Sequence, residues 1–356
     1  MVGYSILMSN DFMIYGATGY TGKLLARQAK DRGLTPVLAG RDPEKLEAVA
    51  GPLGFEHRAV SLGDRDGLRD ALAGVGVVLH SAGPFSATSE PMVDACLETG
   101  THYLDITGEI DVFEACAARD AEARERGVVV MPGVGFDVVP SDCLAAHVHR
   151  RLNDATSLSI AIQGLGGMSR GTAKTGAEAL GRRTRVRRGG RIVEASEPLV
   201  EDVDYGDGPK KSLAVSWGDV STAYHSTGIP DVTVFFAATR QLEKLTGMGP
   251  VTRWLLGTAL MQAVARRMID RQPPGPSEEQ RRKGSSTLVA VAENAAGGRA
   301  VSRLSTPEGY TLTALTGIEI AVRVLAGEVE AGFHTPSSAF GPDFILAFEG
   351  CVREDL

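Results

Sequence analysis

Gly16-Ala17-Thr18-Gly19-Tyr20-Thr21-Gly22, set behind the apolar run Phe12-Met13-Ile14-Tyr15 and ahead of Leu24-Leu25-Ala26, decides how this chain is read. The order is strand, tight glycine turn, helix. Such a turn presents unpaired backbone N–H groups at a helix N-terminus, where they hold a pyrophosphate without any cationic side chain. Gly16, Thr18, Gly19, Tyr20, Thr21 and Gly22 are therefore the first candidate cofactor-binding residues. The glycines stand three apart, so the strict Gly-x-Gly-x-x-Gly spacing is absent and the surrounding sequence must carry the assignment.

Outward from that turn a βαβ unit forms. A helical stretch over 23–32 ends at Gly33, and Pro36-Val37-Leu38-Ala39 reads as the second strand. NAD sites of this kind place an acid after that strand, on the ribose 2′-hydroxyl. Here Gly40 and Arg41 stand there, with Lys45 one helical turn further on. An arginine fork suits a 2′-phosphate, so NADP(H) is expected over NAD(H). The alternative is that Arg41 is solvated beside a helix start that Asp42 caps and Pro43 opens.

Helices are expected over 43–49 and 64–72 and a strand over 56–60, with Asp64 against the adenine. A fourth strand, Gly76-Val77-Val78-Leu79-His80, leads into Ser81-Ala82-Gly83-Pro84-Phe85, a second glycine turn at the carboxyl edge of the sheet. Ligands bind at that edge, which adds Ser81, Ala82, Gly83 and Pro84 to the cofactor set. A helix over 91–99, the strand Tyr103-Leu104-Asp105, a helix over 111–126 and the strand Val128-Val129-Val130-Met131 complete an α/β alternation. It predicts a Rossmann doubly wound parallel sheet. Past Gly133 the rhythm changes, with a helix over 141–152 and strands at 157–162, 191–193, 212–216 and 232–236. A second, α+β domain with a largely antiparallel sheet is implied. The expected division is a Rossmann domain over 1–140, to which 335–356 return, and a substrate-binding and dimerisation domain over 141–334.

The 356 residues, with 23% charged and 43% hydrophobic, suit a soluble globular protein of two domains. A net charge of −7 argues against a nucleic-acid partner and for small molecules. Cys96, Cys116, Cys143 and Cys351 form no Cys-x-x-Cys pair, so buried thiols are expected, with no metal site and no disulfide framework. No basic, cleavable apolar leader opens the chain; 1–10 read as an extension, and a cytoplasmic location is expected. The apolar stretch over 254–265, flanked by Arg253, Arg266 and Arg267, is too short to span a bilayer. It is expected to be a buried or subunit-packed helix of a homodimer, with interfacial membrane contact as the alternative. The proline- and glycine-rich 271–279 read as an exposed loop or mobile lid.

None of the seven tyrosines has a lysine four residues on, so the Tyr-x-x-x-Lys device of carbonyl reduction is absent. Tyr103, Asp105, Thr107 and Glu109 are placed around the nicotinamide or its ribose, with helix capping near Asp111 the alternative for the two acids. Thr107 completes the cofactor set. The catalytic candidates are Asp137, held in a glycine-rich bend, and Tyr224 with His225. These last two lie in Ser221-Thr222-Ala223-Tyr224-His225-Ser226-Thr227, which reads as a polar strand closed at Gly228. His225 is either a proton donor or a structural histidine. Asp142 reads as a helix cap, and Arg170 and Lys174 as groups that hold a carboxylate or polarise a carbonyl. Six arginines within 182–191 surround a hairpin turn at Gly189-Gly190, as a charged edge that blocks strand pairing or as an anion-docking patch.

The turn over 16–22, Ala82-Gly83-Pro84-Phe85, Thr101-His102-Tyr103-Leu104-Asp105 with Gly108-Glu109, and Pro132-Gly133-Val134-Gly135-Phe136-Asp137-Val138-Val139-Pro140-Ser141-Asp142 together resemble the saccharopine dehydrogenase-like oxidoreductases. The likeness is nearest to the branch that includes the bacterial trans-acting enoyl reductases. It continues through Gly166-Gly167-Met168-Ser169-Arg170-Gly171-Thr172 and Gly332-Phe333-His334-Thr335-Pro336 with Ala339-Phe340-Gly341, so it covers nearly the whole chain. The resemblance implies nicotinamide-dependent hydride transfer to an enoyl C=C or imine C=N bond of a small or carrier-bound thioester substrate, in a cleft between the domains. It also favours the docking of a phosphorylated carrier on the arginine hairpin. The rival from another class is a non-catalytic NADPH-binding regulator, because a nucleotide fold does not by itself imply turnover.

Overall fold

The computed structural model describes residues 12–164, 167, 169–173, 183–239 and 258–356. The extension over 1–10, Lys174, Arg182 and the 254–257 part of the apolar stretch lie outside the described residues. The chain divides into two compact units, 1–137 with 310–335 and 138–309 with 336–356.

In the first unit β1 (Phe12–Tyr15), α1 (Tyr20–Asp31), β2 (Val37–Gly40), α2 (Pro43–Leu53), β3 (His57–Ala59), α3 (Arg65–Leu72), β4 (Val77–His80), α4 (Phe85–Thr99), β5 (His102–Asp105), α5 (Ile110–Ala117), α6 (Asp120–Arg126) and β6 (Val129–Met131) alternate. β1, β2 and β4 are buried along their whole length, as strands must be when helices cover both faces of a sheet. The chain then builds the second unit with α7 (Val139–Arg151), β7 (Ser157–Gln163), β8 (Arg185–Arg188), β9 (Arg191–Glu194), β10 (Val200–Asp204), β11 (Pro209–Ala214), α8 (Asp219–Thr227) and β12 (Asp231–Ala237). α9 (Ala259–Ile269), α10 (Glu278–Lys283), β13 (Ser285–Glu293) and β14 (Arg299–Pro307) follow. The chain re-enters the first unit with α11 (Gly309–Leu325) and β15 (Gly332–Phe333), and closes in the second with α12 (Pro336–Phe340) and β16 (Val352–Asp355).

The first sheet runs β15-β6-β5-β4-β1-β2-β3, with every pairing parallel. The strand order reverses between β1 and β4, the switch point at which a doubly wound sheet opens a crevice beyond its carboxyl edge. α11 packs closely on this sheet because Gly317 has no side chain: a Cβ there would lie 3.2 Å from Leu25 and 3.3 Å from Leu79. The second sheet runs β10-β11-β12-β7-β13-β14-β16, with the β8–β9 hairpin set against β12. Only β7 and β12 pair in parallel; the other pairings are antiparallel. Both fold classes expected from the sequence are thus present.

Several element boundaries differ from expectation. The segment that returns to the first unit is 310–335, whereas 336–356 stay in the second, where β16 pairs with β14. The helix expected over 111–126 is two helices, broken at Ala118 and Arg119; the Arg119 guanidinium there bridges Asp94 and Glu122, both at 2.7 Å. The stretch over 221–227 is not a strand but most of α8, which Gly228 closes in the left-handed conformation at φ 73°. Of the apolar stretch, Met261 and Val264 are exposed and not buried. The 271–279 loop is tied down by Arg170, whose N–H donates to Pro274 O at 3.1 Å and whose Nε donates to Gln272 O at 2.6 Å. All four cysteines are buried free thiols.

Candidate functional site

Two glycine turns meet at the β1/β4 switch point. Gly16 sits at φ 84°, and a Cβ on it would lie 2.8 Å from Ala82 N, so the first turn can touch the second only through a glycine. The Gly16 and Ala17 N–H groups donate to Ala39 O, and Gly19 N–H donates to Gly16 O at 3.0 Å, closing the turn. Gly22 is required for a different reason: a Cβ there would lie 2.3 Å from Gly16 O, so it lets α1 start directly against the turn. The irregular spacing is thereby explained. No side chain caps α1, and the first N–H groups of the helix, on Tyr20, Thr21 and Gly22, have no intrahelical acceptor. A pyrophosphate fits against the N-terminus of such a helix, where the dipole and the first N–H groups face it. The Tyr20 ring packs edge-on against Tyr310 at 5.1 Å.

Ser81 fastens the second turn to the first, with its N–H and Oγ both donating to Tyr15 O, at 2.8 and 2.9 Å. Gly83 is exposed, with Ala82 and Pro84 half-buried beside it. At the end of β2 Arg41 is exposed, whereas Lys45 forms an ion pair with Asp42 at 2.6 Å. Asp42 also accepts from Lys45 N–H, so Asp42 caps α2 as expected and takes up the Lys45 charge locally. Asp64 caps α3 by accepting from Gly67 N–H at 3.0 Å.

The loop after β5 is fixed from both sides. Asp105, fully buried, accepts from Tyr103 OH at 2.6 Å and from the N–H groups of Thr107 and Gly133, at 2.9 and 2.8 Å. Burial pushes its carboxyl up to about 6, against those donors. Thr107 is also fully buried, and its Oγ1 accepts from Glu109 N–H. It therefore braces the loop from within. The Glu109 carboxylate accepts from Phe85 N–H at 2.9 Å and Ser86 N–H at 2.8 Å, so it caps α4. Capping was anticipated for Glu109, but of the neighbouring helix; the partners lie 24 and 23 residues earlier in the chain, beyond any local signal. Asp137 is largely buried beside Gly108, where a Cβ would lie 3.0 Å from its Oδ2. Dense surroundings push its carboxyl up to about 7, where a group both gives and takes a proton near neutrality. α11 holds this bend, with Thr313 Oγ1 accepting from Phe136 N–H at 3.0 Å and Thr316 Oγ1 donating to Val134 O at 2.8 Å.

The second unit engages its candidates differently. Asp142 is fully buried and accepts from Ser226 Oγ and, at 2.7 Å, from Ser337 N–H, which ties α7 to α8 and α12. The β8–β9 turn has Gly189 and Gly190 at φ 54° and 77°, as a two-residue hairpin requires. Arg187 is only 3% exposed: its Nε donates to Val220 O and its Nη1 to Gly190 O, both at 2.8 Å, and its guanidinium lies 4.3 Å from the Tyr224 ring. Arg188 donates to Arg187 O and Thr233 Oγ1. The docking patch expected of six arginines is thus reduced, because the Arg187 charge is committed inside the fold, whereas Arg188 stays exposed. Tyr224 serves as the platform for Arg187, with its hydroxyl near Gly190. His225 is exposed on α8. Among the described residues no cluster of acids, histidines and cysteines has the makings of a metal site, and no helix is long and apolar enough to cross a membrane.

Residues 12–131 match the model of the saccharopine dehydrogenase NADP binding domain. A trans-acting enoyl reductase of Mycobacterium leprae is 35% identical over 150 residues, covering 40% of this chain and 36% of the relative. A probable mitochondrial saccharopine dehydrogenase-like oxidoreductase of Arabidopsis thaliana is 34% identical over 149 residues, 37% of this chain and 33% of the relative. The matched part is therefore about a third of each relative. Among solved structures, an apo saccharopine dehydrogenase (L-Glu forming) from Saccharomyces cerevisiae has the same fold, with a TM-score of 0.66 at 13% identity over 97% of this chain and 99% of that one.

Proposed function

We propose, from a first unit that carries a saccharopine dehydrogenase NADP-binding domain, that the chain is an NADP(H)-dependent oxidoreductase delivering hydride to a C=C or C=N bond of a small or carrier-bound thioester substrate. The observation that carries this reading is the meeting of the two glycine turns at the switch point, with the N-terminus of α1, which no side chain caps, beside them and Arg41 exposed at the end of β2. Those N–H groups hold the pyrophosphate and Arg41 the 2′-phosphate. NADPH supplies the hydride when bound. The reduced bond also needs a proton at its second atom, and Asp137, with its carboxyl at about 7, is the group on this edge suited to give it. The pairs Asp105 with Gly133 and Glu109 with α4 keep the loop beside Asp137 in place.

The test is loss of reduced-nicotinamide absorbance on mixing the chain and NADPH with enoyl thioesters, free and carrier-bound, and with cyclic imines. Turnover of one class supports the reading and names the bond. Tight NADPH binding with no turnover of any of them supports the regulator instead, and failure to bind NADPH removes both.

A further inference from the structure

Among the described residues, α9 carries an exposed apolar stripe. Met261, Val264 and Met268 are spaced i, i+3 and i+7, which puts them on one face of the helix. They are 38%, 44% and 63% exposed, three of the eight large apolar side chains exposed among the described residues. Arg267 and Arg271 are exposed as well, whereas Ile269 is buried. Asp270 is the single acid within 259–271.

We propose that α9 rests on an anionic lipid surface, its methionines and valine entering the acyl boundary while its arginines meet headgroup phosphates. At 11 residues the helix is far too short to span a bilayer, so it lies in the interface plane. Charge selects the occupant. A chain of net charge −7 is repelled by an anionic surface as a whole, so its attraction must be local, and α9 combines local positive charge with bare apolar area. A second copy of the chain fits less well. A two-fold contact through this stripe would bring Arg267 and Arg271 near their own counterparts. The stripe also offers on the order of a few hundred Å² of apolar surface, short of the roughly 800 Å² per partner of a stable interface. A lipid surface sets no such minimum, and its phosphates pair with the arginines. The inference does not depend on the proposed reaction.

The experiment is co-sedimentation of the full chain with vesicles of phosphatidylglycerol and phosphatidylcholine, against pure phosphatidylcholine, at low and high salt. The wild type is expected to pellet with the anionic vesicles only and to be released by salt. Arg267→Gln/Arg271→Gln should weaken the partition about 30-fold. Met261→Ser/Val264→Ser/Met268→Ser should abolish it while circular dichroism and cooperative thermal unfolding show the fold retained, because the three side chains stand on the exposed face of the helix. Equal partition onto both vesicle types, or binding that survives the triple substitution, overturns the proposal. So does light scattering that shows a dimer which the triple substitution dissociates, since the stripe then belongs to a second copy.

Discussion

Arg41 and Lys45 both follow β2, yet they carry unequal weight. Lys45 is held by Asp42, whereas Arg41 is exposed, so the 2′-phosphate selectivity should rest on Arg41. A charge-assisted contact of roughly 1.5 to 3 kcal/mol implies that Arg41→Asp weakens NADPH about 10- to 100-fold and leaves NADH little changed, as fluorescence titration will read. Lys45→Ala should cost less than about threefold in the same titration. Asp137 makes a prediction about pH. Its carboxyl sits at about 7, above the ordinary carboxylate value, so the proton is present below 7 and lost above it. With Asp137 as the acid, kcat falls as pH rises through 7, and Asp137→Asn should remove that limb along with most of the rate. The tight turn at Gly16 was legible in the sequence because it opens a glycine-rich stretch directly behind a strand. The inward role of Thr107 was not, since nothing local reveals which way a threonine turns in a loop.

Elements depend on residues whose absence of side chain, or whose buried charge, cannot be replaced. In Gly22→Ala the new methyl would meet a backbone oxygen, so α1 must back away from the turn that it opens. We expect a loss of about 1 to 3 kcal/mol of stability and more than tenfold in NADPH affinity, measured by urea unfolding and titration. Arg187→Ala leaves the buried Val220 carbonyl and the partly buried Gly190 carbonyl without their donor and bares the Tyr224 ring; it should cost roughly 3 kcal/mol, while Arg191→Ala stays within about 0.5 in the same unfolding series. The β8–β9 hairpin was readable from its glycine pair. α8 was not, because Ser221, Thr222, Ser226 and Thr227 are weak helix formers that resemble a polar strand; burial of residues 219–223 and the Gly228 cap decide the matter. β13 and β14 escaped although Thr287, Val289 and Val291 are branched, because serines, alanines and arginines dilute the apolar alternation on both strands; the long antiparallel register from Ser285 opposite Pro307 to Glu293 opposite Arg299 makes them a ribbon.

At the scale of the whole molecule, acid resistance should turn on His80. It is fully buried among Tyr15, Phe85 and Tyr103, neither ring nitrogen has a hydrogen-bond partner among the described residues, and burial holds it down to about 3. A histidine whose folded value lies below its unfolded value stabilises the fold above the unfolded one; between pH 6.5 and 3 the unfolded chain takes up a proton that the native chain refuses. Acidification across that window should remove on the order of 4 kcal/mol, and His80→Phe should flatten this part of the stability curve in urea titrations at stepped pH. The return of 310–335 to the first unit could not be read in advance, because an apolar helix does not name the sheet it covers; Gly317 is its one pointer, and only the contact with Leu25 and Leu79 gives that glycine meaning. That return also sets an order of events during synthesis. The first six strands leave the ribosome early, but β15 and the helix that covers Leu25 and Leu79 come almost two hundred residues later, about 10 to 40 s at ordinary elongation rates. Through that interval the nascent chain holds an uncovered sheet face, and a chaperone has its longest opportunity there.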